Sequence, residues 1–261
     1  MHPSLRQLDH RPWPLPARPW VFRQSWRDLL FLHWPVEPAA LAPHIPDGLT
    51  LQTFDGVAWL AVVPFRMTGV SARWLPDVPG LSAFPELNVR TYVERDGVPG
   101  VWFLSLDADH RLAVRVARRF FHLPYVYAQM SCRSDGEAIV YRSERPGPGP
   151  RARFAARYEP VGPPCPAESG TLDHFLTERY CLYARTPRGD FLRGQVHHVA
   201  WPLQEARVAI DANELPAANG IDVDAAGPAH VRFARRVDVV LWPLEAVDAM
   251  RATGLARRSG S

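Results

Sequence analysis

The sequence predicts a single mostly-β, α+β domain, with closure of its strands into a barrel as one way to complete the sheet. Three observations predict this. Short alternating or apolar segments bounded by Gly, Pro and Asp recur along the chain. Helical periodicity is confined to two or three stretches. The run Pro146-Gly147-Pro148-Gly149-Pro150 resembles a domain boundary, but the segments flanking it read as neighbours in one antiparallel meander.

Residues 1–20 hold five prolines and little periodicity, which predicts an extended arm rather than a packed element. The domain is expected over 21–245, with a frayed tail over 246–261. Val21 to Trp34 opens it. Glu37-Pro38-Ala39-Ala40-Leu41 fits a short helix with proline in its first turn. Gly56 to Met67 is an apolar strand. Glu86 to Val93 alternates strictly, Asp96-Gly97 supplies a turn, and Val101 to Leu106 returns, which together signal a β-hairpin. From Asp109 to Phe121 the period changes to that of a helix, with Leu112, Val116 and Phe120 as its apolar stripe and Ala113 and Ala117 beside them. Leu123 to Cys132, Ala138 to Arg145 and Arg151 to Glu159 read as strands. Thr171 to Thr177 reads as a short helix, and Arg179 to Arg185 with Asp190 to His197 as a strand pair. Leu203 to Ala212 fits helix or strand, and Val237 to Trp242 closes the sheet.

Composition narrows the chemistry. All thirty basic Lys-or-Arg positions are arginine, so a side-chain Schiff base, covalent pyridoxal phosphate and a P-loop lysine are excluded. Guanidinium cannot substitute, because it stays charged at ordinary pH. A net charge of +3, with arginines and acids interspersed, fits a mixed-sign surface rather than a nucleic-acid footprint. Cys132, Cys165 and Cys181 form no CxxC pair, and neither an HExxH nor a G-x-S-x-G pattern occurs. No metal and no cofactor is therefore expected. The apolar stretch Trp59 to Phe65 is too short to span a bilayer, and charged residues interrupt the first segment. A cytoplasmic protein with no membrane partner is the expectation, and self-association stays open.

Alternation also sorts candidate site residues. Glu86, Asn88, Arg90 and Tyr92 share one face of the hairpin, away from Leu87, Val89, Thr91 and Val93. That polar face either meets solvent or lines an interior where charges must pair or bind a ligand. On the return strand Val101, Phe103, Ser105 and Asp107 share a face. Tyr125, Tyr127 and Gln129 lie together on the strand after the helix, as a pocket wall with polar tips would. Arg90, Arg118, Arg145 and Arg179 are candidate anion clamps, with internal ion pairs to Glu86, Asp107 or Glu178 as the alternative. His197 and His198 would face opposite ways.

These blocks also carry a resemblance. His33-Trp34, Pro46-Asp47-Gly48-Leu49, Trp59 with Pro64-Phe65, Glu86-Leu87-Asn88-Val89-Arg90-Thr91-Tyr92-Val93, Gly100 to Asp107, Leu123-Pro124-Tyr125, Phe175 to Tyr180 and Trp201-Pro202-Leu203 together resemble the YqjF-like family of uncharacterised bacterial proteins. That family resembles a branch of the acetoacetate decarboxylase-like superfamily. The resemblance implies an antiparallel β-barrel or cone around a small pocket. It also places the decarboxylases' Pro-Lys pair on Pro124-Tyr125, where the Schiff-base lysine is missing. The expectation is a small anionic ligand, such as a carboxylate, inside the barrel. Arg90 and Arg118 would form the clamp, assisted by Asn88, Tyr127, Glu178 and Arg179. Glu86 and Asp107 would be acid or base groups, and Tyr125 a hydrogen-bond donor. The rivals are a non-catalytic regulatory or interaction protein, and a lysine-independent lyase or hydrolase acting on a small keto acid.

Overall fold

The computed structural model describes residues 2–75, 83–147 and 152–247. Its strands are β1 (Phe22–Val36), β2 (Thr50–Leu51), β3 (Ala58–Ala72), β4 (Phe84–Arg95), β5 (Val98–Ala108), β6 (Tyr125–Tyr127), β7 (Gln129–Asp135), β8 (Ala138–Glu144), β9 (Arg153–Cys165), β10 (Cys181–Arg185), β11 (Phe191–His197), β12 (Leu203–Asn213), β13 (His230–Leu241) and β14 (Glu245–Ala246). The helices are α1 (Pro38–Leu41), α2 (Arg111–Phe121), α3 (Leu172–Thr177) and α4 (Leu215–Ala218).

In the sheet, β11, β10, β5, β4, β3, β1 and β13 follow one another as neighbours. Pairing of Val196 with Leu241 and of His197 with Val240 joins the two ends into a ring. From β13 the sheet continues through β12, β9, β8 and β7 as an outer wing. The resulting architecture is mostly β, as the pattern predicts. Leu203–Asn213 resolves as a strand because it pairs along most of β9. The proline run joins β8 to β9, whose residues Glu144 and Arg153 are register partners, so it spans a hairpin.

Strand alternation produces two cores. Leu29, Phe31, Ala61, Val63 and Phe65 point into the ring. Leu30, Leu32, Leu60, Val62, Leu87 and Val89 point outward and meet Ile139, Tyr141, Phe154 and Tyr158 of the wing. Burial on both faces explains why β1 and β3 read as continuous apolar runs. Two wing tyrosines cap backbone of the ring. The Tyr158 hydroxyl donates to the Asp28 carbonyl at 2.7 Å, where β1 is irregular and Asp28 has a φ of 52°. The Tyr141 hydroxyl lies 2.7 Å from the Glu86 carbonyl oxygen and 3.2 Å from that of Phe65.

Four expectations need correction. The sheet is not wholly antiparallel, since β10 and β6 both run parallel to β5 along the same edge. Helix α2 supplies the crossover that a parallel β5–β6 neighbour requires. Its buried side is Val114, Ala117 and Phe121, while Leu112 and Phe120 are 55% and 65% exposed. Two apolar registers compete on that helix, and the ring selects the one containing small Ala117; the side chains of Val116 and Ala113 lie outside the described residues. The N-terminal arm is packed, not free. Arg11 donates to the Val196 carbonyl and to Gln195 Oε1, Trp13 donates to the same Gln195 oxygen, and His197 bonds the Ser4 carbonyl. In the expected tail, Ala246 pairs with Leu192 and Val247 is buried. The rest of that tail lies outside the described residues.

Gly100 lets β5 pack tightly against β10. A Cβ there would fall 2.7 Å from Cys181 Sγ and 2.9 Å from the Cys181 carbonyl oxygen, and a backbone atom cannot rotate aside. Gly100→Ala is expected to lose about 1–3 kcal/mol of stability. Urea denaturation should show a lower midpoint at an unchanged slope; an unaltered midpoint would mean that the two strands separate freely.

Candidate functional site

The ring encloses a cavity of about 260 Å³. Its wall is largely apolar and aromatic, with Trp26, Phe65, Phe84, Phe103, Phe121 and Trp201 prominent. A smaller polar set faces it: Gln24, Glu86, Asn88, Arg90, Tyr125, Thr177, Arg179 and His198. An apolar chamber with a few convergent polar groups is the usual form of a small-molecule site.

Glu86, Asn88 and Arg90 reach it together because β4 keeps strict alternation. Glu86 is fully enclosed, and the Tyr125 hydroxyl donates to its Oε2 at 2.9 Å. Burial pushes the Glu86 carboxyl up to about 8, against the opposing effect of the Tyr125 bond. Tyr125 itself is held well above the usual phenol range by burial and by Glu86. Around neutral pH the pair is thus a neutral carboxylic acid beside a neutral phenol, able to donate as well as accept.

Arg90 and Arg179 are 9% and 8% exposed, and among the described residues neither has a carboxylate within ion-pair distance. Arg179 is held by the Phe175 carbonyl and Gln52 Oε1, at 2.7 Å and 2.5 Å, contacts that fix its plane without neutralising its charge. Burial, joined by the charge of Arg90, lowers it to about 10 despite opposing neighbours. Four buried polar atoms on cavity residues have no hydrogen-bond partner: Trp26 Nε1, Asn88 Oδ1, Arg90 Nε and Trp201 Nε1. Buried polar groups are nearly always satisfied, by protein or by ordered water, so these four atoms mark the polar part of the cavity wall.

Other sequence candidates lie elsewhere. Asp107 faces the wing, where Arg145 bridges it at 2.7 Å and Ser143 donates at 3.3 Å. The cause is a bulge: Val89 pairs with Ser105 but Arg90 pairs with Phe103, so Leu104 is an extra residue and the faces of β5 exchange. Thus Val101, Phe103 and Leu106 line the cavity while Asp107 does not. Arg118 sits on the exposed side of α2, with its Nε on the Tyr125 carbonyl at 2.5 Å. Tyr127 does not line the cavity and is covered by Arg111, whose guanidinium lies 3.9 Å from its ring. Glu178 accepts from the Tyr180 hydroxyl and from the Trp201 amide, beside the cavity but not facing it. The geometry therefore groups Glu86, Asn88, Arg90, Tyr125 and Arg179, and separates Asp107, Arg118, Tyr127 and Glu178 from them. Sequence reasoning missed Trp26, Trp201 and His198. The opposite pointing of His197 and His198 was the available signal, since His198 faces the cavity while His197 meets the arm. Burial lowers His198 to about 3, so it is a neutral wall residue.

The profile of the DUF2071 family, described as an uncharacterized conserved protein, matches residues 23–238. The chain belongs to that family. It is 47% identical over 225 residues to the uncharacterized protein YqjF of Bacillus subtilis (strain 168), covering 86% of this chain and 92% of that one. Among solved structures it is similar to an acetoacetate decarboxylase, with a TM-score of 0.61 at 13% identity over 95% of this chain and 98% of that one. The acetoacetate decarboxylase of Legionella pneumophila subsp. pneumophila str. Philadelphia 1 gives 0.60 at 11% identity, covering 92% and 94%. The enduracididine biosynthesis enzyme MppR complexed with pyruvate gives 0.60 at 12%, covering 90% and 93%. At these identities the likeness concerns the fold. Among the described residues no helix is long and apolar enough to cross a membrane.

Glu86 makes stability depend on pH in a definite direction. Its folded value of about 8 lies above the usual 4.5, so the folded state retains a proton that the unfolded chain has lost. Its contribution is complete below 4.5 and declines as pH rises toward 8, by up to ~1.4 kcal/mol per unit. Glu86→Gln should flatten this slope. The variant is expected to gain on the wild type as pH climbs through that window, read by chemical denaturation across pH; parallel profiles would contradict a neutral Glu86.

Proposed function

We propose that this protein binds a small anionic metabolite with an apolar body, such as a carboxylate, inside the ring. The observation that carries this reading is the pair of buried arginines, Arg90 and Arg179, facing the cavity with no carboxylate within ion-pair distance of either among the described residues. A carboxylate would supply that charge and accept from the guanidinium fork. The unpartnered Arg90 Nε and Asn88 Oδ1 lie in the same wall, and the aromatic lining suits a short hydrocarbon body. That MppR, which shares the fold, holds pyruvate supports the reading. Schiff-base chemistry is not part of it, because the chain has no lysine and Tyr125 stands where the resemblance puts that residue.

A second reading, acid–base catalysis on a bound keto acid, draws on one further observation. Glu86 and Tyr125 form a neutral donor pair on the cavity wall, which could pass a proton to a carbanion or enolate without a covalent intermediate. In decarboxylation the carboxyl would leave as carbon dioxide, its bonding electrons would remain as the enolate that takes the proton, and Glu86 would regain one from water; carbon dioxide release that borohydride treatment does not inhibit would mark it.

The binding test is a thermal-shift and calorimetric series with straight-chain carboxylates from acetate to octanoate, each matched to its primary amide. Carboxylates are expected to raise Tm and amides not. Arg90→Gln and Arg179→Gln should each weaken the best carboxylate by about tenfold or more, as loss of a hydrogen bond to a charged group implies. Equal shifts for acids and amides, or for wild type and both variants, would remove the anion site.

A further inference from the structure

Behind Arg90 lies a line of polar side chains that the binding site does not use. Tyr92, on the same face of β4, has its hydroxyl 2.7 Å from His33 Nε2. His33 Nδ1 lies 3.0 Å from His230 Nδ1, and His230 Nε2 lies 2.5 Å from Asp173 Oδ1. Arg232 bridges Asp173 at 2.9 Å. Tyr92 and His33 are completely buried, whereas the Asp173 side chain is 26% exposed. The line therefore runs from the back of the cavity wall to the protein exterior.

Chemistry at its two ends gives the line a single direction. Asp173 is held as a carboxylate by His230 and Arg232, against the effect of its burial. A carboxylate only accepts, so His230 carries its proton on Nε2. With one proton on that ring, His230 Nδ1 is a lone pair and must receive from His33 Nδ1–H. His33 Nε2 is then also a lone pair and receives from the Tyr92 O–H. Burial, with His230, Arg90 and Arg232 nearby, keeps His33 from taking a second proton. The inner end favours the same sense. The Arg90 and Arg179 guanidinium carbons lie 6.0 Å and 5.0 Å from the centre of the Tyr92 ring, and a guanidinium has only donors. The Tyr92 oxygen can accept from Arg90 only if its own proton points away, toward His33.

We propose that Asp173, acting through His230, His33 and Tyr92, is a positioning residue for Arg90, fixing from the protein exterior the direction of every hydrogen bond up to the anion site. The proposal rests on the anion-binding reading for its purpose but not for its geometry. None of the four residues lines the cavity. Their action is to fix Tyr92, its hydroxyl on His33, so that its ring stays beside the Arg90 guanidinium while the Arg90 Nε stays free for ligand.

The test uses full-length protein labelled with ¹⁵N, at about pH 8, above the usual histidine range. Long-range ¹⁵N correlation should show wild-type His33 as a single tautomer protonated on Nδ1, and His230 as the tautomer protonated on Nε2. Asp173→Asn removes the charge that pins the line. It is expected to convert His33 to a mixture of tautomers, shift the Arg90 Nε–H signal, and weaken hexanoate binding by about tenfold. Arg236→Gln, on the same strand but paired with Asp238 outside the line, should do none of these. His230→Gln provides a second interruption should the first variant fold poorly. A wild-type His33 protonated on Nε2, or an unchanged His33 and Arg90 in both interrupted variants, would overturn the proposal. So would an altered His33 tautomer with unaltered hexanoate affinity. Should hexanoate and the other carboxylates fail to bind wild type, the anion reading falls alone, and the Arg90 Nε–H signal still decides whether Asp173 positions it.

Discussion

The cavity exists because two residue pairs, Val196 with Leu241 and His197 with Val240, join the ends of the ring. Two pairs are a short seam for such a closure, and much of the surrounding chain reinforces it. The Trp242 amide donates to the Gln195 carbonyl, and the Val21 amide to that of Leu241. Arg11 reaches the Val196 carbonyl, and Trp242 Nε1 bonds the Arg18 carbonyl. The proline-rich arm thus works as a strap across the seam. Its prolines limit the entropy lost when it docks, and its polar groups satisfy carbonyls that a longer strand pair would otherwise have used.

From closure follows the electrostatics of the interior. Glu86 is driven to its neutral form by the loss of water. The arginines cannot respond in that way at ordinary pH, so they remain cations in an apolar chamber. Arg145, by contrast, has Asp107. The chain therefore neutralises one candidate clamp, Arg145, internally, and leaves Arg90 and Arg179 facing the cavity with no carboxylate in ion-pair distance among the described residues.

Much of this was legible in the residues. The hairpin alternation placed Glu86, Asn88 and Arg90 on one face, and they do line the cavity. What misled was local. A single extra residue at Leu104 exchanges the faces of β5, and no periodicity count over Val101 to Asp107 reveals where such a bulge falls. Helix α2 offers two apolar stripes, and the choice between them depends on the surface beneath it. Likewise, the parallel placement of β6 and β10 on one edge of β5 is a tertiary outcome, set by a crossover helix and by Gly100 rather than by strand composition. His33 and His230 lie far apart in the chain, so their contact could only be seen once β1 and β13 were paired.

The Tyr141 hydroxyl ties the outer wing to the carbonyl of the residue that carries the buried acid. The wing is consequently a splint for the chamber: displacing β8 would drag the Glu86 backbone, and with it the carboxyl, although among the described residues no wing side chain lines the chamber. Divergence among relatives in this outer layer can thus retune the shape of the recess remotely, leaving every lining residue unchanged.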